Sequence, residues 1–117
     1  MKISRIQGLS SEDKKALRVF SRVLRKALGN RVRQVVLYGS KARGASHPDS
    51  DIDVLVVVDR ESSRVHDAVA DAAYEATVNS TSFVSPQTVS ENYWRKSLHR
   101  RTFFSRNVER EGVEISQ

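Results

Sequence analysis

Cysteine does not occur in this chain, which rules out a disulfide framework and any thiolate-ligated metal site. Its absence suits a reducing cytoplasm, the expected location. Long hydrophobic runs are missing too. Gln7 and Gly8 interrupt the N-terminus before an apolar stretch could serve as a secretory leader, and no segment approaches a membrane span. With no internal repeat, linker or low-complexity tract, the 117 residues read as one domain, 1–117. Acidic residues are the scarcer sign of charge, 14 against 20 Lys and Arg, giving a net +6. That balance suits nucleotides, nucleic acids or an acidic protein as partners, and equally suits solubility alone. The apolar fraction of 38% is that of an ordinary globular chain, not a disordered one.

Ser10 with Asp13 three residues on approximates a capping box and opens the first helix. Leu17, Phe20, Val23, Leu24, Ala27 and Leu28 follow at helical spacing, with Lys14, Arg18, Arg22 and Arg25 on the opposite face. Val32 to Tyr38 reads as a strand, Gly39 to Pro48 as a connection holding a short helical turn after Ser40, and Asp49 to Val58 as a second strand. A helix capped by Ser62 or Ser63 runs to about Thr77. A weaker strand, Thr81 to Val89, is bent or at an edge because of Pro86. Two short helices start at Ser90-Glu91 and Thr102, the last stopped by Gly112. This order predicts an α/β (α+β) fold, a small sheet with helices packed on it.

The stretch from Leu37 to Val58, LYGSKARGASHPDSDIDVLVVV, puts Asp51 and Asp53 at the mouth of an apolar strand. Period two places both carboxylates on one face, where they repel unless a cation lies between them. Hard oxygen ligands select Mg²⁺ or Mn²⁺, and Mg²⁺ takes further ligands from water and substrate phosphates. Gly39 lets backbone approach a phosphate, and Ser40 offers a hydroxyl and an N–H. Lys41 and Arg43 add positive charge beside it. A Gly-Ser turn alone, or Asp-x-Asp alone, is as often a plain turn or a charged strand end. Together, between two apolar strands, they read as a nucleotide and metal site.

Gly39-Ser40, ten residues, then Asp51-Ile52-Asp53-Val54 resembles the signature of the DNA polymerase β-like nucleotidyltransferase superfamily. More closely, the stretch resembles the minimal, MntA-like nucleotidyltransferases of bacteria and archaea. The ending Asn107-Val108-Glu109-Arg110-Glu111-Gly112-Val113 extends the likeness across nearly the whole chain, less specifically. The resemblance implies a mixed sheet with the site at its edge and two Mg²⁺ ions. It also implies transfer of a nucleoside monophosphate, expected to be AMP, from ATP or another NTP with release of pyrophosphate. Several such proteins are antitoxins that adenylylate a tyrosine on a HEPN-fold toxin.

The pattern is broken in one place. The superfamily's third carboxylate lies on the strand after the second helix, yet no Asp or Glu occurs from Ala76 to Ser90. Phe83 falls near the expected acid, with Thr81 and Ser85 on its face. Three readings stay open: a ligand from elsewhere in the chain, with Glu91 and Glu75 the nearest in sequence, slow catalysis with two aspartates, or a subunit that binds nucleotide and metal without turnover and neutralises its partner by binding.

Elsewhere the plainer reading is preferred. The Lys14–Arg25 stripe reads as a solvated face before a nucleic-acid or acidic-partner grip, and Tyr93 and Trp94 as packing before a base cap. His66 and His99 have no metal spacing, and His99-Arg100-Arg101 reads as solvent-exposed. His47 reads as an exposed loop residue before a phosphate contact, and Asp49 as a residue that shapes the turn or accepts a hydrogen bond behind the pair. A strand edge or the aromatic C-terminal helices could support a homo-oligomer.

Overall fold

A computed structural model describes residues 1–44 and 50–116; the expectations for His47 and Asp49 lie outside them. Helix α1, Ser11–Leu28, begins with the full capping box: Ser10 Oγ accepts from Asp13 N–H, and Asp13 Oδ2 accepts from Ser10 N–H, both at 3.1 Å. Its apolar face, with Leu17, Phe20 and Leu24 fully buried, settles on the sheet. Full burial of one such side chain contributes about 1.5–3 kcal/mol. Strand β1, Val32–Tyr38, leads through Gly39 into the single turn α2, Ser40–Arg43. Strand β2 is Ile52–Val58, helix α3 Ser63–Val78 and strand β3 Val84–Ser90. Helices α4, Glu91–Arg100, and α5, Phe103–Glu111, start from the hydroxyl caps Ser90 and Thr102.

The sheet is mixed, in the order β3-β2-β1-β4, with β1 antiparallel to both its neighbours and β2 parallel to β3. Alternation along β2 divides the molecule into two layers. Ile52, Val54, Val56 and Val58 pack with α1 and α3. Leu55 and Val57 pack with Val36, Trp94 and Val108 beneath α4 and α5. Pro86 lies on the edge strand, where its missing N–H costs no ladder bond.

The boundaries differ from expectation in three places. Strand β2 starts at Ile52, so Asp51 precedes the ladder. Strand β3 starts at Val84 because Ser80 Oγ donates to Ala76 O and accepts from Ser82 N–H, holding residues 80–82 in a turn. The two-residue strand β4, Val113–Glu114, is too short to show a period and forms by pairing with Val36 and Leu37. Among the described residues no helix is long and apolar enough to cross a membrane.

Candidate functional site

Two chain segments far apart in sequence meet at one end of the sheet. Asp53 stands opposite Tyr38 across the β1–β2 ladder, one residue before Gly39. Gly39 has φ +78° and ψ −158°, a nearly glycine-only conformation that costs an L side chain about 1–3 kcal/mol. A Cβ built on it would lie 2.5 Å from Asp53 Oδ2. The Asp53 carboxylate therefore rests directly on the Gly39 backbone, and glycine is required there twice over, for conformation and for space.

This geometry separates Gly39 from Gly44, which also has positive φ, +72°, but where a Cβ would meet nothing within 4 Å. Gly39→Ala should therefore destabilise the fold more than Gly44→Ala, by about 1–3 kcal/mol, the range for a clash in packed surroundings. Denaturant unfolding of the two variants measures the difference; equal losses would mean that the carboxylate does not sit on Gly39.

Asp53 points to the α4–α5 layer, since it shares its face with Leu55 and Val57. It is half-buried while Asp51 is exposed. Burial pushes the Asp53 carboxyl above its ordinary value, the Asp51 charge pushes it further, and the Arg43 guanidinium partly offsets both. Burial, and then the Asp53 charge, likewise raise the Tyr38 phenol. The Tyr38 ring is held edge-on by Phe104, with centroids 5.4 Å apart. Ser40 opens α2, whose first internal donors are the Ala42 and Arg43 amides, both to Gly39 O at 3.1 and 3.2 Å.

The basic pair after Ser40 divides. Arg43 stays on the site side, exposed, with Nη1 donating to Glu111 Oε2 at 3.0 Å. Lys41, expected to neutralise phosphate charge, turns inward to Asp13. It is 3% exposed, and its ammonium donates to Asp13 Oδ2 at 2.9 Å. Asp13 Oδ1 also accepts from Ser82 Oγ at 2.7 Å. Burial alone would raise the Asp13 carboxyl, but hydrogen bonds from Lys41, Ser82 and the Ser10 N–H together hold it below its ordinary value. Lys41 thus anchors α2 to α1 and to the approach to β3.

The register settles where a third carboxylate would stand. Ser85 pairs with Asp53, and Phe83, 61% exposed, lies one pleat earlier, level with Asp51. Neither expected substitute is in place. Glu91 follows Ser90, which pairs with Val58 at the far end of β2, and it meets Arg33 at 3.6 Å. Glu75 belongs to α3, in the opposite layer, and accepts weakly from Asn79 Nδ2 at 3.5 Å. Among the described residues no group of three or more His, Cys, Asp or Glu gathers as a metal site.

Glu111 is the carboxylate that sequence reading missed. Continuing the β1–β4 register beyond Leu37 and Val113 brings it beside Gly39. The signal was present, since Glu111 sits in the stretch that carries the C-terminal likeness, but β4 was needed to give it a place. Of the other expectations, Trp94 is core and lies 6.1 Å from Phe104, Tyr93 is exposed, and His66 Nε2 lies 2.9 Å from Glu61.

The chain matches the family described as nucleotidyltransferase domain over residues 17–114, a span that holds both halves of this site. It is also similar to a protein of Methanocaldococcus jannaschii that is named as a candidate protein adenylyltransferase. The two are 30% identical over 100 residues, covering 86% of this chain and 94% of that protein.

Proposed function

The chain belongs to the nucleotidyltransferase domain family, and on that premise we propose that it transfers AMP from ATP to a hydroxyl on a partner protein. The observation that carries this reading is the contact of the Asp53 carboxylate with the Gly39 backbone, which joins an acidic pair to a phosphate-sized bend. The relative's name supports both the adenylyl group and the protein acceptor. A chain of this size has little surface for an acceptor site of its own. The HEPN-type partner follows from the family resemblance, and a cysteine-free chain suits the cytoplasm in which that pair would work.

Asp51 and Asp53 fit Mg²⁺ or Mn²⁺: the charge of one carboxylate makes the other hold its proton harder, a conflict that a hard cation relieves. With two carboxylates together among the described residues, the nucleotide and water would supply the remaining ligands, as two ions carried with the triphosphate would allow. Bound there, the cations would neutralise phosphate charge. Gly39 admits the triphosphate to the backbone, Ser40 donates to it, and Arg43 offsets its charge. The acceptor oxygen bonds to the α-phosphorus as the bond to the bridging oxygen breaks, and pyrophosphate leaves. The hydroxyl proton passes to water, because Ser85 and Phe83 offer no carboxylate on β3 to take it.

Glu111 acts here through Arg43. Glu111→Gln should raise KM for ATP about threefold to fivefold with kcat nearly unchanged, the size of one partly exposed ion pair of up to about 1 kcal/mol. A fall in kcat with constant KM in steady-state assays would instead place Glu111 in the chemical step.

The same absence on β3 favours a second reading, a subunit that binds nucleotide but neutralises its partner by contact alone. One experiment separates the two. The protein is incubated with labelled ATP, Mg²⁺ and the product of the neighbouring gene, beside Asp53→Ala. Label on the partner that vanishes in the variant supports transfer. A tight unlabelled complex that survives the substitution supports the second reading.

A further inference from the structure

A different part of the molecule carries unmet hydrogen-bonding capacity. Arg18, Ser21, Arg22 and Arg25 lie on one stripe of α1, at spacings of three and four. With Ile3 and Ser116 they line a hollow of about 360 Å³. None of the three arginines has an ion pair or a side-chain hydrogen bond among the described residues. Two donors at this hollow, Ser21 Oγ and Arg25 Nε, are buried without any partner. A buried donor left unpaired costs about 1–3 kcal/mol and calls for a specific acceptor. Burial also lowers the Arg25 guanidinium from its usual value.

We propose that this hollow docks an acidic segment of a partner protein, a carboxylate entering between Arg22 and Arg25 and an aliphatic neighbour resting on Ile3 and the arginine stems. Arg18 and Arg22 are exposed at the rim of the hollow, so an incoming carboxylate meets unpaired guanidinium groups, and the partly desolvated setting strengthens the charge pairing. A polyanion such as RNA fits less well. The basic stripe spans only about 10 Å of helix, and in the grooves on the Val23–Ala27 flank of α1 the carboxylates Asp67, Asp71 and Glu75 outnumber the cations Arg64 and Lys26, so the positive field does not continue across it. The stripe lies in the layer opposite Asp53, so an occupant leaves the catalytic end of the sheet open.

The test uses a short fluorescein-labelled peptide of alternating Glu and Leu, titrated with the full chain by anisotropy. Binding should weaken about tenfold or more in Arg22→Gln/Arg25→Gln and should vanish for the peptide with Gln in place of Glu. Arg18→Gln, at an exposed position, gives a milder loss should the double variant fold poorly. Asp53→Ala should bind the peptide as wild type does, so that failure of the transfer reaction and failure of docking are told apart. Unchanged affinity in the arginine variants would overturn the proposal. So would an RNA oligonucleotide that binds more tightly than the peptide and is lost with the same arginines.

Discussion

Asp53→Asn should melt at a higher temperature than the wild-type protein and transfer nucleotide roughly a thousandfold more slowly or worse. Both effects come from one charge. In the folded chain the Asp53 carboxylate is half-buried, against the Gly39 backbone and near Asp51, and its proton is held more tightly than normal. The charged form is therefore a cost to the fold at neutral pH. Asn keeps the shape and removes the cost, so the melting temperature rises by a few degrees at most. The sign fixes the pH window. A raised carboxylate value means that the penalty is full above that value and is relieved as pH falls through it. The gain in melting temperature should thus be largest at neutral pH and fade toward the unfolded value near 3.8. The activity loss reflects the several kcal/mol that charge stabilisation at a phosphoryl centre supplies, with each factor of ten worth about 1.4 kcal/mol. Scanning calorimetry with an adenylyl-transfer assay checks both. A variant that is less stable and still active would break the link.

The second large effect falls outside the chemistry. Lys41→Met should destabilise the protein by about 3–5 kcal/mol, because it leaves the Asp13 carboxylate buried without its ammonium. Asp13 makes three attachments at once, to the α1 cap, to Ser82 before β3 and to α2 through Lys41, so the loss loosens the base of the Gly39–Ser40 bend. Asp13→Asn/Lys41→Met should recover much of it, since no unpaired charge is then buried. The pH dependence runs opposite to that of Asp53. A lowered carboxylate value contributes stability that is fully present above the ordinary value of 3.8 and is lost as pH falls through the folded value. The deficit of Lys41→Met should therefore be widest near neutrality and narrow in acid, as the orphaned Asp13 takes up a proton. Urea unfolding across that range, with the double-mutant cycle, tests the pair. A deficit under 1 kcal/mol would mean that Lys41 faces solvent and is free to serve phosphate.

How far the sequence disclosed this arrangement depends on what each feature rests on. The capping box, the apolar stripe of α1 and the apolar run of β2 are local patterns, and they reappear as α1 and the two-layer core. That the aspartates return to the sheet end of Gly39 and Ser40 was legible from two strands joined by a short connection, but the contact of Asp53 with Gly39 was not. Lys41 and Arg43 stand two apart with the same charge, and nothing local says that one will cross to Asp13 while the other turns to Glu111; only the placement of α2 between α1 and the end of α5 decides it. Strand β4 has two residues and no pattern, so Glu111 had no address until β1 gave it one. The missing acid on β3 was legible as a gap, but its candidate replacements could be judged only once the register placed Glu91 at the wrong end of the sheet and Glu75 in the wrong layer.

The central claim is that Asp51 and Asp53 work with Gly39 and Ser40 as one receptor for a nucleotide carried with divalent cations. Calorimetric titration with ATP, in Mg²⁺ and then in chelator, on wild type and on Asp51→Ala/Asp53→Ala, measures this directly. The account predicts heat of binding in wild type with Mg²⁺, little or none in chelator, and little or none in the double variant under either condition. Equal heats in all four titrations would contradict it.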